Sequence, residues 1–141
     1  MPAIYCHSHI VRDDEIDGLG HVNNLHYLKW MQDAAVAHST AQGWPHERYQ
    51  SIGAAFVVRA HRIDYRKPAF AHEKLEIRTW VSDFTKVTSL RKYQVFRPLD
   101  QQVLAVGETD WAFLGLDPYI PRRLPPDLVE AFQLVPPDQE P

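Results

Sequence analysis

The chain has one cysteine, Cys6, in 141 residues, which excludes an internal disulfide framework and a multi-cysteine zinc site. It has no long hydrophobic run. The longest, such as Ala54 to Val58, span a few residues, whereas a membrane-spanning helix needs about 20. The start of the chain holds His7, Ser8 and His9 where an export signal would place an apolar core. There is no basic excess: the formal net charge is -3 and the pI about 6.2. That argues against nucleic-acid binding through a bulk basic surface, while leaving room for a local cationic patch. No repeat, no low-complexity tract, no Gly-x-Ser-x-Gly elbow and no His-Glu-x-x-His pair occurs. His7 and His9 share a face of an expected strand but have no evident third ligand, and His61 and His72 are isolated, so no metal site is expected. These absences point to a soluble, cytoplasmic protein that does not enter membranes.

What is present is ordinary globular material. Hydrophobic residues make up 45% and charged residues 23%, enough for one domain with a sizeable core. That domain is expected over residues 1–135, with a flexible tail at 136–141, where proline is frequent. Ala3 to Arg12 reads as a strand, with Cys6 expected to be buried in it. The one long helical pattern runs from about Asn23 to Gln42. Tyr27, Met31, Ala34 and His38 form its stripe, with Trp30, Ala37 and Ala41 beside it, and Gly43 stops it. Everything after Trp44–Pro45 reads as strand-like until Asp117: Ala54 to Lys67, a run alternating around Leu75 to Val81, Val87 to Phe96, and Val103 to Leu114. A short helix is expected at Asp127 to Gln133. Strand, long helix, four long strands is the order of an α+β domain with an antiparallel sheet packed on one helix.

The richest segment is Asp17-Gly18-Leu19-Gly20-His21-Val22-Asn23-Asn24. Its glycines allow a tight turn and a close backbone approach. Asn23 or Asn24 can cap the helix. The unpaired N–H groups of a helix start carry partial positive charge and would stabilise an oxyanion. Asp17, just upstream, could act on the same carbonyl as base or nucleophile. Read from the residues alone, a solvated acidic loop with an ordinary cap is the stronger of the two readings.

Asp17-x-x-Gly20-His21-Val22-Asn23-Asn24-x-x-Tyr27 resembles the signature of hotdog-fold acyl-CoA thioesterases, in the 4-hydroxybenzoyl-CoA thioesterase-like group that includes bacterial long-chain acyl-CoA thioesterases. Ala55-Phe56-Val57-Val58, Ile63-Asp64-Tyr65-Arg66-Lys67-Pro68-Ala69 and Ala112-Phe113-Leu114-Gly115-Leu116-Asp117 extend the likeness from about Val11 to Phe132. The resemblance implies a hotdog fold, an antiparallel sheet wrapped around one long central helix. It also implies a homodimer or homotetramer whose sites draw on two chains. The implied enzyme is a hydrolase that converts an acyl-CoA substrate to free acid and CoA, with no cofactor. Two alternatives stand beside it, an acyl-carrier-protein thioesterase and a non-catalytic acyl-CoA-binding module.

The resemblance also assigns roles. Asp17 takes the position of the catalytic carboxylate, and the Asn24 backbone N–H that of the group polarising the thioester carbonyl. Gly20 keeps the approach open, and His21 orients Asp17, binds water or braces the loop. Asp64 falls where plant acyl-carrier-protein thioesterases carry an acidic residue implicated in catalysis, but Leu19 replaces an asparagine of those enzymes, which favours a simpler aspartate-centred scheme. Candidate acyl contacts are Tyr27, Phe56, Val57, Met31 and Trp80. Candidate phosphate contacts are Lys86, Arg91 and Lys92, with Arg59, Arg66 and Lys67 as further cations.

Overall fold

The computed structural model describes residues 3–141. Five strands, β1 (Tyr5–Ile10), β2 (Ala54–Tyr65), β3 (Lys74–Phe84), β4 (Thr88–Arg97) and β5 (Gln102–Gly115), form one antiparallel sheet in the order β1-β3-β4-β5-β2. Helix α1 (Asn24–Ala41) lies against one face of it. This is the α+β arrangement the order of elements implies. Each strand alternates sides except at its bulges, one of which lets the adjacent Leu104 and Ala105 both join the helix-side core. Leu75 and Ile77 of β3, Tyr93 and Val95 of β4, and Leu104 and Ala105 of β5 pack on Tyr27, Trp30, Met31, Ala34 and Ala35 of α1. The expected stripe of Tyr27, Met31, Ala34 and His38 is buried. Ala35 completes it, while Ala41 is exposed. Small residues bring the layers close. A Cβ added at Gly107 on β5 would sit 2.9 Å from Met31 Sδ of α1 and 3.2 Å from the Arg62 carbonyl.

Three expectations need correction. A second helix, α2 (His46–Ile52), stands where only strand-like sequence was read. Pro45 pre-sets its entry as the cap residue, and Gly53, at φ 67°, ends it in the left-handed conformation. It has no fully buried residue, hence no apolar stripe to read. Cys6 is exposed rather than buried, because the inward positions of β1 are Tyr5, His7 and His9. The final helix, α3, runs Pro126–Ala131, starting one residue early on a proline that suits a first turn. At the end of the chain, on the outer face of the sheet, Lys92 Nζ is 3.0 Å from Glu140 Oε1, and Gln94 Nε2 donates to the Pro141 carbonyl at 3.3 Å. A second apolar cluster, with Trp44, Val81, Phe113, Leu128 and Phe132, seals the far end of α1. Among the described residues no helix is long and apolar enough to cross a membrane.

Candidate active site

The loop into α1 is built around a buried carboxylate. Glu15, 1% exposed, accepts at Oε1 from the Arg12 N–H and from His9 Nε2, both at 2.8 Å, and at Oε2 from Trp30 Nε1 at 2.7 Å. Burial alone would raise its pKa. The three hydrogen bonds and the neighbouring His9 outweigh that and hold it at about 2. His9 is thus spent on Glu15, and its partner on that face, His7, is not joined to it in any cluster. Among the described residues no group of three His, Cys, Asp or Glu side chains is placed to hold a metal.

Beyond this anchor the chain makes a closed turn. Ile16 pairs with Val22 as a β-bridge, Asp17 N–H donates to the His21 carbonyl at 2.9 Å, and Gly20 N–H to the Asp17 carbonyl at 3.2 Å. Gly20 sits at φ 85°, a conformation that costs other residues about 1–2 kcal/mol. Asp17 Oδ1 accepts from the Leu19 N–H at 2.8 Å, which leaves Oδ2 without a close partner; His21 Nδ1 is 3.9 Å from it. Both side chains are about a quarter to a third exposed, at 26% and 34%.

Asn23 is the helix cap, its side-chain oxygen accepting from the Leu25 N–H at 2.9 Å, and its carbonyl taking the His26 N–H at 3.0 Å. The Asn24 N–H donates to no group among the described residues. The Asn24 carbonyl accepts from the Tyr65 hydroxyl at 3.2 Å, tying the helix start to the end of β2. Tyr27 is buried and its hydroxyl is fully engaged, donating to the Lys67 carbonyl and accepting from the Ala69 N–H.

Asp17, Gly20 and His21 therefore share one hydrogen-bonded turn, and Asn24 opens α1 two residues after it closes. The other expected site residues scatter. Asp64 is exposed on the outer face of β2, in a shallow depression shared with Arg62, Lys92 and Glu140. Phe56 points to the helix side and lines a cavity, while its neighbour Val57 points outward and is 39% exposed. Trp80 and Lys92 also belong to the outer depression, and Met31 is core. Lys86 is exposed in the β3–β4 turn. Arg91 is buried on the helix side, and Arg59 sits at the bulge of β2, 3.8 Å from Asp110.

The cavity has a volume of about 240 Å³ and lies beside the second half of α1, among Val36, Trp44, Tyr49, Phe56, Phe84 and Phe132. Arg91 borders it, donating through Nη1 to His38 Nδ1 at 2.9 Å and to Thr79 Oγ1 at 3.0 Å. His38 is neutral: burial, then the charge of Arg91, lowers its pKa to about 3. His38 was placed on the buried stripe from sequence, but neither Glu15 nor the burial of Arg91 was singled out. The one available hint was a polar residue repeating on an apolar stripe.

A model of the thioesterase-like superfamily matches residues 11–132. The chain belongs to that superfamily, a family of thioester hydrolases. YneP of Bacillus subtilis (strain 168), a candidate acyl-CoA thioesterase, is 27% identical over 88 residues, 62% of this chain and 64% of YneP, just under two thirds of that protein. Among solved structures, the Synechocystis 1,4-dihydroxy-2-naphthoyl-CoA thioesterase Slr0204 superposes with a TM-score of 0.85 at 19% identity, over 91% of this chain and 94% of that one. A DHNA-CoA thioesterase from Staphylococcus aureus gives 0.84 at 24% identity, over 91% and 87%. At these identities the two structures speak to the fold, and the hotdog arrangement is the one found here.

Proposed function

We propose that this thioesterase hydrolyses acyl-CoA thioesters at the loop before α1, with Asp17 as base or nucleophile and the Asn24 N–H as oxyanion donor. The observation that carries the reading is the free Asn24 N–H at the start of an 18-residue helix, entered directly from the closed turn that holds the unengaged Oδ2 of Asp17. In the base form, Asp17 takes a proton from water as its oxygen bonds to the thioester carbon. The carbonyl oxygen, now anionic, is held at the helix start, the C–S bond breaks, and the CoA thiolate leaves to be protonated. In the nucleophile form, an Asp17 oxygen bonds to that carbon, the C–S bond breaks and the CoA thiolate leaves to be protonated, and water then splits the anhydride to free acid and Asp17. Relatives named for CoA thioesters support CoA as the carrier. A CoA substrate and an unpaired cysteine fit the cytoplasm.

The working unit in this reading is a pair of chains. The cavity lies about 20 Å along α1 from Asn24, given a helical rise of 1.5 Å per residue, too far for a small acyl group to span within one chain. Strand β2 is a sheet edge with its Phe56 end at the cavity and its Tyr65 end at Asn24. Two β2 edges paired antiparallel would bring the cavity of one copy to the loop of the other.

The test is a thiol-release assay over acyl-CoA thioesters from acetyl to palmitoyl, with benzoyl and 4-hydroxybenzoyl. Hydrolysis by the wild type that Asp17→Asn loses, while remaining folded, is the expected result. Turnover unchanged in Asp17→Asn would reject the role of Asp17, and a folded wild type silent on the whole panel would reject CoA thioesters as substrates.

A further inference from the structure

Arg91 is 6% exposed, yet its two bonded partners, His38 and Thr79, are neutral. No carboxylate among the described residues pairs with it. A buried cation costs several kcal/mol unless it is paired and hydrogen-bonded. Arginine does not escape that cost by losing its proton. His38 gives little relief, because its ring is neutral and its Nε2 has no acceptor. Both bonds use Nη1, so Nε and Nη2, the edge of the guanidinium suited to a two-pronged contact with a carboxylate, have no partner among the described residues. Arg91 borders the cavity, as does Trp44, whose buried Nε1–H also lacks an acceptor. The cavity lining contains no Asp or Glu. An apolar chamber bordered by a guanidinium with free donors and no acid of its own is built for an apolar group that ends in an anionic oxygen. Its volume, about 240 Å³, is below the roughly 300–1,000 Å³ of sites for larger ligands, which favours a compact acyl group over a long chain.

We propose that this cavity receives the distal end of a small acyl group bearing an anionic oxygen, a carboxylate or an aromatic phenolate, and that Arg91 binds that oxygen through Nε and Nη2. The proposal rests on the thioesterase reading and narrows its substrate class.

Matched pairs of CoA thioesters test it: hexanoyl against adipoyl, benzoyl against 4-carboxybenzoyl, and benzoyl against 4-hydroxybenzoyl. The wild type should favour an acid-bearing member over its neutral partner by about tenfold or more in kcat/KM, the scale of one charge-assisted contact. The pair that shows the preference tells carboxylate from phenolate. Arg91→Met should bring that ratio near one, and Arg91→Lys, which keeps the charge without the fork, should fall between. Methionine in place of a buried charge is commonly tolerated, and the wild-type ratios stand without any variant. Neutral thioesters cleaved as well as acidic ones would overturn the proposal and leave the thioesterase reading intact. Should no thioester be cleaved, that reading fails separately, and calorimetric titration with adipate and with 4-hydroxybenzoate decides the cavity. Binding by the wild type that Arg91→Met loses supports the proposal. Equal binding by both, or none by either, overturns it.

Discussion

Replacing Glu15 by glutamine keeps the shape of the side chain and removes only its charge. In the native fold the carboxylate accepts three hydrogen bonds, from Arg12, His9 and Trp30, and its pKa is held at about 2 against an ordinary value of 4.5. A depressed acid stabilises the fold fully above its unfolded pKa and loses that contribution as the pH falls through the folded value. The difference is worth about 3 kcal/mol at pH 7 and roughly 2.5 kcal/mol at pH 4, where the unfolded carboxyl is mostly protonated. Glutamine adds a further penalty independent of pH, because its amide N–H groups would face donors, at about 1–3 kcal/mol. Urea denaturation of wild type and Glu15→Gln should therefore show a gap of at least about 3 kcal/mol at pH 7 that narrows by nearly 1 kcal/mol at pH 4. Other titrating groups are common to both proteins and largely cancel in the gap. A gap under about 1 kcal/mol at pH 7, or one that widens on acidification, would refute the account of Glu15 as an ionised anchor.

His38 should dominate the acid response of the wild type. Its pKa is lowered from 6.5 to about 3 by burial and Arg91, so its neutral form stabilises the fold above pH 6.5, and that contribution drains away toward pH 3. Stability should fall by about 3 kcal/mol between pH 7 and pH 4 on this account, and His38→Gln should flatten the fall; equal slopes for the two proteins would reject it. For Asp17→Asn, kcat should drop by about two to four orders of magnitude with the unfolding transition unmoved, as for loss of a base or nucleophile. Sedimentation equilibrium should find the active species as a dimer or larger, and a fully active monomer would reject a site shared between copies.

The fold was legible because its signals are periodic. The α1 stripe and the alternation along β3 depend on neighbours in the chain, and they placed those elements within a few residues. The Asp17–Asn24 loop was legible for a related reason: glycine, cap residue and helix start are local chemistry. Helix α2 was not, because it buries no residue fully and leaves no stripe. Side-chain direction on the strands was the harder matter. Phe56 and Val57, or Arg91 and Lys92, read as neighbours in sequence but face opposite sides of the sheet. The bulges between Val58 and Ala60 and between Val81 and Asp83 shift the alternation partway along two strands. The burial of Glu15 and Arg91 depends on partners 15 and 53 residues away in the chain, Trp30 and His38, which no local pattern announces.

The near contact between Gly107 and Met31 makes two positions share a single allotment of space. A larger residue on the strand must be matched by a smaller or reshaped one on the helix, or the helix must ride higher on the sheet. Lifting the helix there would tilt its start, turning the Asn24 N–H and drawing the Asn24 carbonyl away from the Tyr65 hydroxyl that now bonds to it. Thus a glycine of the sheet and the core methionine above it set the aim of a backbone dipole at the rim. Substitutions at these two sites would be expected to travel together among descendants of a common ancestor.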